Sequence, residues 1–325
     1  MAHTGADSGA EAHDAQGALT GAIALFAAAC LLGFAPILVK ASELGPHATA
    51  FWRLAFALPA LGLWLVAEGR RAGRSALPGA AAQGRPPGFR VLVLAGLFFA
   101  GDLAFWHAGI KITTAANATL LANLTPIPVA IAALVLFRER ITGRFLFAGA
   151  LALGGAALLS IANIQFAPER LPGDMLSALA SFWYAAYLLA VRGARRAGAR
   201  TVQVMFWSTL VATPVTFGLA LVSGEALLPD SLSGWAPLIA LGLIVHCAGQ
   251  GGVAFGLGRT PAALASLIIL VQPVVAAAAG WWLFSESLAP IQWAGAGLVL
   301  IGVYAAQRTR PGPSTAARGA AKPGS

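Results

Sequence analysis

Apolar residues run along this chain in long blocks, and polar residues gather in the gaps between them. Ten blocks, 19–39, 48–67, 91–110, 115–137, 145–162, 172–191, 202–222, 235–257, 262–284 and 290–306, approach the length of a membrane-crossing helix. Such a helix needs about 20 apolar residues to cross about 30 Å of hydrocarbon. None of the blocks carries a polar face at helical spacing, as a soluble helical bundle requires. The pattern predicts an all-α integral membrane protein of ten transmembrane helices.

The blocks also repeat. At an offset of 147 residues Thr113 matches Thr260, Pro126 matches Pro273, Phe137 matches Phe284, Glu139 matches Glu286 and Gly155 matches Gly302. At an offset of 155, "AFWRLAFALP" (50–59) aligns with "MFWSTLVATP" (205–214). The chain therefore reads as two five-helix halves. Five is odd, so the second half enters the membrane from the opposite face, giving an inverted repeat. The expected organisation is a disordered tail over 1–17, a first repeat over 18–162, a second over 171–307 and a disordered basic tail over 308–325.

Charge fixes the orientation. With the N-terminus inside, seventeen of the Lys and Arg residues fall in inner segments and three, Lys40, Lys111 and Arg170, in outer ones; Arg53 lies within a span. Positive residues stay in the cytoplasm, so both termini are expected there. The same rule explains why Arg138 and Arg140 become Ser285 and Ser287 in the second copy. A net charge of +9 distributed in this way is topological and implies no nucleic-acid partner. A hydrophobic fraction of 58% and a charged fraction of 10% agree with a lipid environment, since soluble domains carry about 25% charged residues. Cys30 and Cys247 lie inside spans and form neither a disulfide framework nor a metal spacing. The acidic start has no basic n-region and does not read as a signal peptide.

The stretch 108–159, "AGIKITTAANATLLANLTPIPVAIAALVLFRERITGRFLFAGALALGGAALLS", resembles the drug/metabolite transporter superfamily in its ten-helix EamA-type branch, with Lys40, Pro46 and Arg53 at positions that suit the same pattern. Leu32-Gly33 departs from the Trp-Gly common there. The resemblance covers about 19–306. It implies a permease of the prokaryotic cytoplasmic membrane that exports small metabolites such as amino acids, with carriers of drugs or nucleotide sugars as the alternative. It also implies a cavity lined by helices 1–4 and 6–9, with helices 5 and 10 peripheral.

Ionisable groups inside hydrocarbon are costly and face the bundle interior. Arg53 lies about 9 Å and Asp102 about 12 Å below the outer boundary, by a rise of about 1.5 Å per residue. They are expected to pair across the cavity, and Asp102 is the candidate proton-coupling group. Their aligned positions hold Ser208 and Gly249, so the pair is one-sided. Trp106 shares the face of Asp102, and His107 follows it. Asn123, Gln250 and Gln272 add polar groups, and Trp183 and Tyr187, sharing a helix face, add an aromatic wall. Pro126, Pro128 and Pro273 mark helices expected to bend beside the cavity. Glu139 and Glu286 read as structural acceptors at span ends. Spans 5 and 10, with Gly149, Gly154, Gly155, Gly295, Gly297 and Gly302, suit close packing and are the candidate homodimer face. No cofactor, metal site or clustered catalytic set is indicated. The expected partners are a small-molecule substrate and the bilayer.

Overall fold

Runs this apolar satisfy their backbone polar groups internally, and the regular elements among the described residues are all helices. The computed structural model describes residues 4–71, 88–136, 141–161, 167–284 and 288–309. Its α-helices are α1 (Thr4–Leu32), α2 (Ala35–Ala41), α3 (Pro46–Arg71), α4 (Phe89–Ile112), α5 (Ala115–Ala122), α6 (Pro126–Leu136), α7 (Gly143–Ile161), α8 (Leu171–Arg196), α9 (Thr201–Val222), α10 (Trp235–Ala240), α11 (Gly251–Leu257), α12 (Ala262–Ile269), α13 (Gln272–Phe284) and α14 (Pro290–Arg308). A π-helical stretch, Leu241–Gln250, joins α10 to α11. Among the described residues nine segments are long and apolar enough to cross a membrane, from Gln16–Ala41 to Ala262–Ala279. α14 is not among them; Gln292, Gln307 and Arg308 dilute its ends.

α1 begins at Thr4. Its Ala, Glu and Gln content favours helix. The glycines assigned to a dimer face are divided. A Cβ on Gly155 would lie 2.7 Å from the Gly295 carbonyl oxygen, and one on Gly302 would lie 2.7 Å from that of Ala148. These glycines hold α7 against α14 within one chain, at a separation no larger residue allows. Gly154 and Gly297 have open space beside them. Arg138, Glu139, Arg140, Ser285, Glu286, Ser287 and the tail from 310 lie outside the described residues.

The internal echo is visible in the helices. α3 carries Pro59 and α9 carries Pro214 at aligned positions. The α5–α6 break at Asn123–Thr125 and the α12–α13 break at Leu270–Val271 are also aligned. In each, a proline just beyond the break (Pro126, Pro273) removes the amide that would continue the ladder.

Polar ties close the ends of the bundle. The Glu225 carboxylate accepts from the His47 and Ala48 amides at 3.2 and 2.8 Å and meets His47 Nδ1 at 2.6 Å. It thereby caps the start of α3 with a negative charge, where the helix dipole favours one. Glu43 accepts from the Ser231 hydroxyl and amide, which hold its carboxyl below the usual range. Asp174 accepts from Thr113 Oγ1 at 2.6 Å and Asn117 Nδ2 at 3.1 Å. At the ends of other helices, buried Arg192 donates to the carbonyls of Leu257 and Thr260, and Arg200 meets Glu68 at 3.0 Å.

Candidate functional site: a cavity at three helix breaks

Three interrupted helices converge on one cavity. α1 gives way to α2 at Gly33–Phe34, α5 to α6 at Asn123–Thr125, and α12 to α13 at Leu270–Val271. In each case a proline (Pro36, Pro126, Pro273) stands four residues after a carbonyl, Leu32, Ala122 or Ile269, and cannot bond to it. The Thr125 hydroxyl takes up the Ala122 carbonyl at 2.7 Å. Irregular backbone at membrane depth is tolerated where it faces protein or a wet cavity. The space between them, with the open solvent at its mouth counted in, is about 740 Å³.

Of the nine site residues read from the sequence, six line this cavity: Arg53, Asp102, Trp106, Asn123, Gln250 and Gln272. Each is brought there by a different helix segment except Asp102 and Trp106, one α-helical turn apart on α4. Arg53 is 4% exposed, and its guanidinium lies 5.8 Å from the Phe99 ring. Its Nε is buried without a hydrogen-bond partner. The expected direct pair with Asp102 is not formed. Both side chains line the cavity, yet no N···O distance of 4.0 Å or less joins them among the described ion pairs. Asn123 sits in the α5–α6 break with its Nδ2 buried and without a partner. Gln250, the last residue of the π-helical stretch, accepts from the Tyr184 hydroxyl at 3.1 Å. π-Helical segments recur at functional sites.

Three residues do not line it, and packing explains each. His107 is fully buried and meets the Pro46 carbonyl through Nδ1 at 3.1 Å, tying α4 to the start of α3. Trp183 lies over Gly101 between Phe98 and Phe105, at ring distances of 6.0 Å from both. Tyr187 is buried against Phe99 at 4.7 Å. Tyr184, one position off the face shared by Trp183 and Tyr187, is the aromatic of α8 that reaches the cavity. The α1–α2 break, Thr119 and Ser266 also line it; the Leu32–Pro36 spacing was the signal for the break. His246 is buried and bonds Thr209 through Nε2 at 2.8 Å, a structural tie between α9 and its neighbour.

Chemically, the cavity joins one buried cation, one carboxylate, several amides and two aromatic rings. Among the described residues no group of three or more His, Cys, Asp or Glu could hold a metal ion. Among the described lining residues no Ser or Cys nucleophile stands beside a histidine base. This set suits reversible binding of a polar solute.

A family model described as "EamA-like transporter family" matches residues 19–161 and 171–306. A curated relative, "Uncharacterized transporter sll0355" of Synechocystis sp., is 40% identical over 75 residues, 23% of this chain. The match spans only 22% of that relative's length. A solved chain described only as "Crystal structure of protein" superposes with a TM-score of 0.73 at 20% identity, over 89% of this chain and 98% of that one. At that identity it shows the fold.

Proposed function

The chain belongs to the EamA-like transporter family, and on that premise we propose that it is a secondary transporter exporting small metabolites, amino acids or related compounds, across the cell membrane by alternating access. It is a multi-pass membrane transporter rather than an enzyme. We also propose that α14 completes a tenth crossing and that both chain ends face the cytoplasm, supported by the seventeen-to-three division of basic residues.

The observation that carries the reading is the cavity itself. A polar site at membrane depth, between two halves and ringed by broken helices, is where carriers of this kind bind solute. Asp102 is the group that would couple movement to protons, as the one carboxylate among the described residues that line the cavity. The test uses purified protein in liposomes. Wild-type protein is expected to exchange a labelled amino acid against the unlabelled one, and to concentrate it when a proton gradient is imposed. Asp102→Asn is expected to lose gradient-driven accumulation. Accumulation that persists unchanged in Asp102→Asn removes proton coupling through this residue, and failure of every tested amino acid to exchange removes the amino-acid reading.

A further inference from the structure

Arg53 and Asp102 line one cavity, carry opposite charges and do not touch. Buried charges that can reach each other normally pair, because an isolated ion in a low-dielectric interior is expensive. These two stay apart, and Arg53 Nε is left without a partner. The other buried orphan of the cavity, Asn123 Nδ2, is also an N–H donor. Both buried orphans of the cavity therefore call for an acceptor, and the one carboxylate among the described lining residues is not within ion-pair distance of Arg53.

The division follows the duplication. Arg53, Asp102 and Asn123 all belong to the first half. Their aligned positions in the second half are Ser208, Gly249 and Leu270, none able to carry charge. The second half faces the same space with Ile269, Leu270 and Ala276, and with the uncharged amides Gln250 and Gln272. One half offers a charged lining and the other a neutral one.

We infer that the solute is a zwitterion bound asymmetrically: its carboxylate on Arg53 and Asn123, its ammonium on Asp102, and an uncharged side chain against the α12–α13 break of the second half. This rests on the transporter reading and narrows it. The first half reads the headgroup, whose two charges complete the two separated partners. The second half reads the side chain. An amino acid with a charged side chain has no third counter-charge among the described lining residues, so leucine-like solutes are accepted and lysine and glutamate are not.

The experiment is competition for binding of labelled leucine to the purified protein in detergent. The competitors are leucine, 4-methylpentanoate (no ammonium), isopentylamine (no carboxylate), lysine and glutamate. Leucine is expected to compete at least about tenfold better than each of the others, since a charge-assisted bond lost in a buried site costs about that much or more. Asn123→Leu, which installs the residue of the second half, is expected to weaken leucine about tenfold. Ile269→Ala is expected to reorder neutral side chains while leaving the headgroup requirement intact. Equal competition by the amine or the acid overturns the inference, as does tight binding of lysine or glutamate. Absence of leucine binding in a protein that transports some other solute also overturns it, without touching the transporter reading. A protein that moves no solute in liposomes fails at the level of the transporter reading instead.

Discussion

Trp183 and Tyr184 are consecutive, and only the second reaches the cavity. The difference is about 100° of helix rotation, and it decides what each substitution does. Trp183 fills the space between Phe98 and Phe105 over Gly101, so Trp183→Ala opens a hole between α4 and α8. The expected loss is about 3 kcal/mol of stability, read as a lower thermal unfolding midpoint in detergent, with the ranking of competing solutes unchanged. A changed ranking at an unchanged midpoint would place Trp183 in the cavity after all. The sequence could reveal that ionisable and amide groups at membrane depth gather together, because each is costly in hydrocarbon, and five such residues, Arg53, Asp102, Asn123, Gln250 and Gln272, do line one space. It could not reveal the separation of Arg53 from Asp102, since similar depth in two helices does not fix the distance across a cavity. Nor could it decide which aromatic of α8 reaches the cavity, because Trp183 and Tyr187 turn to α4 while Tyr184, one position round, turns to the cavity, and all three are aromatics in the middle of the span.

At the scale of elements, the period of the repeat was the strongest signal, and its consequences differ between helices. Pro126 and Pro273 lie at aligned positions and break their helices in the same place. Pro59 and Pro214 also align, yet α3 and α9 run through them. A proline alone does not tell a kink from a break. The glycine-rich helices behave similarly: glycine at helical spacing announces close approach but not the partner. Here the partner of α7 is α14, and the contact is backbone to backbone. Gly155→Leu is expected to force these helices apart at a cost of about 1–3 kcal/mol, the range for overpacking. Unfolding in increasing SDS is the measurement, with Gly154→Leu, beside open space, as the neutral comparison. Equal effects of the two substitutions would mean that α7 meets α14 by another face.

For the whole molecule, hydropathy alone separated spans from connections, and the charges in the connections are the basis of the proposed orientation. What hydropathy could not give was the interior, since a span facing lipid and a span facing a cavity are equally apolar on average. The halves share one polar chamber because the aligned breaks of α5–α6 and α12–α13 both open onto it. Thr119 and its counterpart Ser266, one from each half, line that chamber. The most direct measurement is thiol accessibility in membranes. Thr119→Cys and Ser266→Cys are made singly in a protein whose Cys30 and Cys247 are replaced by Ala, and treated with a small membrane-impermeant thiol reagent in the absence and presence of the transported solute. A shared, wet binding chamber predicts that both cysteines are modified and that the solute slows both. If neither cysteine reacts from either side of the membrane, or if the solute protects neither, the chamber is not the path of transport.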